Sequence, residues 1–227
     1  MTRRLPAIAA LTAAALCLCV SACGDGDDAS SDAPKADAGQ DSRLGTARFD
    51  ALDAVYAAAV PIDELENDKD PGSARFKAAT GRFLEACDAL DREDPLLGAL
   101  RRGCPLLATF TEQSAGFEGA CQSATSCSAA ISEVRTTLAS LKRFSRSSDR
   151  AVEAANITSA CKAALRTPKK GYAVYDELDS AFGVLQRALK SGSEADLKEA
   201  QRRLDRLDPD ASPSAKESLE KFRTGCA

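Results

Sequence analysis

Six cysteines, Cys87, Cys104, Cys121, Cys127, Cys161 and Cys226, lie between Leu44 and the C-terminus, and five of them share one local pattern. Each of the five has an apolar residue four positions before it and Ala or Gly directly before it: Phe83 and Ala86 for Cys87, Leu100 and Gly103 for Cys104, Phe117 and Ala120 for Cys121, Ile157 and Ala160 for Cys161, and Phe222 and Gly225 for Cys226. Position i−4 shares a helical face with i, so these cysteines point into a core, and the small neighbour lets a second backbone approach. Inward cysteines joining helices require a bundle whose helices meet at disulfide distance. Spacing alone leaves fifteen connectivities open. The sequential pairing, Cys87 with Cys104, Cys121 with Cys127 and Cys161 with Cys226, is preferred, with loop-closure contributions of about 3, 2 and 4 kcal/mol. The third bond would tie the C-terminal helix back across the preceding hairpin. No pair is spaced C-x-x-C, which leaves a thioredoxin-like or zinc-ribbon reading unsupported.

The rest of the chain agrees with helices. Alanine fills 44 of 227 positions and aromatic residues only 5 %, a balance that favours helix over sheet. Apolar residues recur at helical spacing and predict helices over 46–67 with a break at Pro61, 73–91, 95–103, 105–118, 127–146, 149–166, 170–191, 194–208 and 213–225. Start signals include proline after Asp94, Thr167 and Ser212, and Ser193 with Asp196 three later. Around Ser191-Gly192-Ser193 the pattern is clearest. Tyr175, Leu178, Phe182, Leu185 and Leu189 precede the turn, and Leu197, Ala200, Leu204 and Leu207 follow it, predicting an antiparallel hairpin with an apolar seam. The fold class expected is all-α: a single disulfide-stapled bundle with a C-terminal helical hairpin.

The N-terminus carries a different signal. Arg3 and Arg4 precede an uncharged stretch from Leu5 to Ala22, followed at once by an acidic segment. This has the form of a secretion signal. Val20-Ser21-Ala22-Cys23 resembles the lipobox of bacterial lipoproteins, with a branched apolar residue three before the cysteine and a small residue directly before it. Cys17 and Cys19 fail that pattern because leucine precedes each. The resemblance implies cleavage after Ala22, a diacylglyceryl group on Cys23, and a mature protein held to the outer face of the cell membrane. It also implies an oxidising compartment, where the six remaining cysteines form disulfides. The expected organisation is a signal peptide over 1–22, an acidic tether over 23–42 too polar to bury a core, and one helical domain over 43–227.

Charge is unevenly distributed. Loss of Arg3 and Arg4 leaves 28 basic and 34 acidic side chains, net −6. Residues 135–170 hold nine basic and two acidic residues, net +7, beside an N-terminal half of net −11 over 23–134. Lys142, Arg146 and Arg150 are four apart and line one face if the helix runs through Ser147-Ser148. They are candidate contacts for an anionic surface polymer, lipid headgroup or protein partner. The plainer reading is a solvated face balanced by acidic neighbours or by the tether. Nucleic acid is not an expected partner, because the domain is acidic overall and lacks interleaved aromatics.

Catalytic signals are weak. The chain has no His, which excludes Ser-His-Asp and Cys-His catalysis and most transition-metal sites. Glu66, Asp68 and Asp70 alternate like calcium ligands, but Pro71 stands where the loop needs Gly and Lys77 where it needs a bidentate Glu. Ser159-Ala160-Cys161-Lys162 resembles the S-x-x-K of penicillin-binding proteins and serine β-lactamases, and Arg223-Thr224-Gly225 their later K-T-G, yet the S-x-N element is missing. No cofactor, metal or catalytic residue is therefore expected. The reading is a non-enzymatic binding or structural module; its alternatives are a carboxylate-dependent hydrolase of cell-wall polysaccharide and the solute receptor of a transporter.

Overall fold

Local capping sets where most helices begin. In the computed structural model, residues 43–65, 70–207 and 214–227 are described, and among them the regular structure is helical throughout. The signal segment, Cys23, the tether, most of the acidic run after Leu65 and the Ser212-Pro213 start signal lie outside the described residues.

Helix α1 (Thr46–Asp63) carries Pro61 inside its last turn, where the expected break becomes the end of the helix. Helix α2 (Ala74–Asp88) starts at Ser73, whose hydroxyl accepts from Phe76 N–H. Helix α3 (Pro95–Arg101) starts at Asp94, which accepts from Leu96 and Leu97 N–H at 2.9 and 3.0 Å. Helix α4 (Cys104–Ala120) follows directly.

Helix α5 (Ala124–Ala154) overturns the expected division at Ser147-Ser148 and runs unbroken for 31 residues. Both serines bond back into their own helix, Ser147 to Phe144 carbonyl and Ser148 to Ser145 carbonyl, so neither competes for a new start. The true interruption is at 155–158, where Thr158 caps the short α6 (Ser159–Leu165).

Helices α7 (Lys169–Ser191) and α8 (Glu194–Asp205) form the hairpin, turning at Gly192, whose φ of 69° lies in the left-handed region that favours glycine. Ser193 caps α8 through Asp196 N–H. The seam is buried from Tyr175 to Leu185 and at Ala200 and Leu204, but Leu197 is a correction: it is 40 % exposed and faces solvent. Helix α9 (Ala215–Cys226) opens with a capping box between Ser214 and Glu217.

Packing follows chain order, α1 on α2, α2 on α4, α4 on α5, α5 on α7 and α7 on α8, and α9 then returns to α1 and α6. The six sulfurs meet in the sequential pairs, Cys87 with Cys104, Cys121 with Cys127 and Cys161 with Cys226. The third bond fastens α9 to α6 rather than laying it over the hairpin. A Cβ on Gly225 would stand 3.0 Å from Ala160 carbonyl, so the small residue before Cys226 is what admits the α6 backbone. Phe222 of α9 lies between Phe49 and Tyr56 of α1, ring centroids 5.0 and 4.8 Å away, and is fully buried. Arg223 grips Asp53 through two hydrogen bonds of 2.6 and 2.9 Å.

Two carboxylates give opposite predictions. Burial raises the Asp94 carboxyl, but the Leu97, Arg48 and Leu96 hydrogen bonds outweigh it and hold it below the usual range. Its contribution is present above the ordinary carboxylate value and is lost as pH falls through the lowered one. Asp94→Ala is expected to cost about 1–2 kcal/mol in denaturant unfolding at neutral pH, from the cap alone.

Asp63 ends α1 and accepts from Ala215 N–H at 2.9 Å. Burial pushes its carboxyl up, the Ala215 bond opposes this, and the Glu217 and Glu64 charges add to it. The ionised form is thus the disfavoured one, and stability falls as pH rises through the raised value. Its place at the C-terminal end of α1 and the N-terminal end of α9 sets the two helix dipoles against each other. Asp63→Asn keeps an acceptor without charge, so its melting temperature should exceed that of the parent at pH 7 and converge with it near pH 3.

Candidate functional site

The unbroken α5 places the basic residues of 135–150 along one side of the helix, and α7 packs antiparallel against that side. Successive cross-links show the register: Arg135 meets Asp179, Lys142 meets Asp176, Ser145 meets Tyr175, and Asp149 meets Tyr172. Between the two helices lies a groove of about 590 Å³, lined on α5 by residues that include Arg135, Lys142 and Arg143 and on α7 by Tyr175, Asp176, Asp179 and Gln186.

Arg135 spans the groove. Its guanidinium donates to both Asp179 oxygens at 2.8 and 3.3 Å and to Gln186 Oε1 at 3.2 Å. The Asp179 hydrogen bond raises the Arg135 pKa further, so its charge is permanent. Gly183 faces that guanidinium at ordinary van der Waals distance, a Cβ there standing 3.7 Å from it. Lys142 is ion-paired with Asp176, and Arg143 donates to Ser140 Oγ. Tyr175 hydroxyl and Ser145 Oγ, 3.2 Å apart, form a buried polar contact at the base.

Beyond the groove the three sequence-selected cations part company. Lys142 is drawn into its ion pair, whereas Arg146 and Arg150 remain exposed, with Arg150 Nε donating to Arg146 carbonyl. Arg166 is ion-paired with Glu153, and Lys162 Nζ donates to Glu153 carbonyl. Three of the nine cations of the +7 segment, Arg135, Lys142 and Arg166, are thus held in ion pairs, while Arg143, Arg146 and Arg150 form an exposed basic stretch along α5. Arg135, Asp176 and Asp179 were not singled out from sequence. Their signal, two acids three apart on one helix facing two cations seven apart on another, is readable only once the helices are known to be neighbours.

The other sequence candidates are accounted for by structure. Cys87, Cys104, Cys161 and Cys226 are buried in their disulfides, and Cys121 and Cys127 bridge the α4–α5 turn. Ser159 is exposed at the start of α6 with Lys162 engaged elsewhere, so the S-x-x-K spacing builds no serine–lysine pair. Among the described residues no cluster of metal-ligating side chains occurs, and no helix is long and apolar enough to cross a membrane. The chain matches no family model, no curated protein and no solved structure.

One hydrogen-bonded turn fixes how α7 enters the groove. Asp149 accepts from Thr167 N–H at 2.9 Å and from Tyr172 hydroxyl at 2.8 Å. Burial, the hydrogen bond to Asp149 and the Asp149 charge push the Tyr172 hydroxyl far up. The bond's contribution is therefore fully present below the ordinary tyrosine value of about 10 and is lost only as pH rises from there through the raised one. Tyr172→Phe should lower unfolding free energy by about 1 kcal/mol at pH 7. Tyrosinate absorbance of the folded protein near pH 10 should be the same in parent and variant.

Proposed function

We propose that the chain is a lipid-anchored, extracytoplasmic binding module that holds an anionic surface, a polymer or a lipid headgroup, against α5. The observation that carries this reading is the unbroken α5, which displays exposed Arg146 and Arg150 in line with Lys142 and the Arg135 groove. Long cationic side chains on a rigid helix attract anionic surfaces with about 1 kcal/mol for each residue near the surface. The lipobox supports the location, because a diacylglyceryl group on Cys23 would bring the domain to the membrane that carries such anions. Six cysteines at pairing distance are what an oxidising compartment permits. In this reading the tether supplies reach and the disulfides supply rigidity.

The test is co-sedimentation with phosphatidylcholine vesicles containing phosphatidylglycerol, set beside binding to an isolated anionic wall polymer. Lys142→Ser, Arg146→Ser and Arg150→Ser combined should abolish most binding in whichever arm the parent binds. Asp176→Asn should strengthen it by releasing Lys142. Binding unchanged by the triple substitution would remove the stripe from the function. Separately, Cys23→Ser should eliminate metabolic incorporation of labelled palmitate; persistent labelling would contradict the anchor.

A further inference from the structure

A second cavity, of about 350 Å³, lies where the end of α2, α3 and the start of α4 converge, and it shares no lining residue with the α5–α7 groove. Three arginines line it, Arg92, Arg101 and Arg102, against one carboxylate, Asp88. Arg101 Nη2 donates to Asp88 Oδ1 at 2.5 Å, which accounts for one cation and the only acid. Arg92 and Arg102 are exposed, and no ion pair among the described residues engages either. Asp91 and Glu93 flank Arg92 in the chain but are not part of the lining, and Asp91 accepts from Glu93 N–H instead. The cavity keeps two positive charges without a counter-charge.

Its walls are fixed. The buried Cys87–Cys104 disulfide joins the end of α2 to the start of α4. A Cβ on Gly98 would stand 2.5 Å from Arg92 carbonyl, so the loop bearing Arg92 is packed directly onto α3. Asp94, capping α3 and bonded to Arg48 Nε at 2.6 Å, holds the same loop against α1. With the backbone braced, the ordering left to be done when a ligand binds is confined to the arginine side chains.

We infer that this cavity is a binding site for a phosphate group. The guanidinium fork matches phosphate oxygens bidentately. A phosphate monoester carries about −1.5 to −2 at pH 7, which matches the two uncompensated cations, whereas a carboxylate would leave one of them unpaired. The phosphate can belong to a soluble ester or to a lipid headgroup, and the chemistry at the arginines is the same.

The experiment is isothermal titration of the full chain in non-ionic detergent with inorganic phosphate, with acetate for comparison. A parallel arm uses phosphatidylcholine vesicles with and without phosphatidic acid. Saturable binding of phosphate in preference to acetate is expected, weakened at least tenfold in Arg92→Gln/Arg102→Gln and strengthened in Asp88→Asn, where Arg101 is released. Thermal unfolding of each variant verifies that it folds. Binding seen only with phosphatidic acid vesicles, and lost in the same double variant, supports the site and assigns the phosphate to a headgroup. Absence of saturable binding in both arms overturns the inference, as does binding untouched by the double variant or not strengthened by Asp88→Asn. Arg92 and Arg102 lie outside the α5 stripe, so failure here is distinct from failure of the surface-binding reading.

Discussion

Helix α9 is attached to the bundle through contacts that reach back almost to the beginning of the folded chain, and the architecture closes because of them. Phe222 between Phe49 and Tyr56 joins the last helix to the first, and Cys161–Cys226 joins it to α6. The remaining helices pack mainly on neighbours in sequence, an arrangement that by itself leaves α1 with only one substantial partner. With α9 in place α1 is covered on a second side, and α6 is fixed although it has only seven residues. A helix that short has little stability of its own.

Closure also positions the polar chemistry. Because α5 is anchored at its N-terminal end by Cys121–Cys127 and followed directly by α6, its long basic side has a defined neighbour in α7. The α5–α7 contact combines apolar packing with polar groups, Ser145 and Tyr175 at its base and Arg135, Asp176 and Asp179 at its edge. Apolar seams tolerate slippage by a turn, whereas paired charges and hydrogen bonds specify one register. Register set in this way, together with the three disulfides, fixes the backbone from which Arg143, Arg146 and Arg150 extend.

The fold class was legible because alanine-rich helical spacing and the i−4 pattern at the cysteines report the same thing, inward-facing helix positions. The hairpin was legible down to its glycine turn and its Ser193 cap. The continuity of α5 through Ser147-Ser148 was not, since serines that bond back to Phe144 and Ser145 carbonyls look, in sequence, like serines that start a helix. Leu197 satisfied the seam spacing and still faces water, because it lies within the first turn of α8, near the hairpin's end. The basic segment was visible as composition. Which of its charges are paired depended on Asp176, Asp179 and Glu153 in partner positions that only tertiary packing reveals. The arginine cavity at α2–α4 was not legible at all, since Arg92 stands among Asp91, Glu93 and Asp94 in the chain and only the fold places it beside Arg101 and Arg102.

The central claim is that α9 holds the bundle closed, and equilibrium denaturant unfolding of Cys161→Ala/Cys226→Ala, set beside Cys121→Ala/Cys127→Ala, tests it most directly. The bond from α6 to α9 closes 65 residues and that between α4 and α5 only six, so loop entropy assigns them about 4 and 2 kcal/mol. The account predicts the larger loss for the α6–α9 pair, with amide exchange accelerated in α1 and α6 as well as in α9. An equal or smaller loss, or exchange confined to α9 itself, would contradict it.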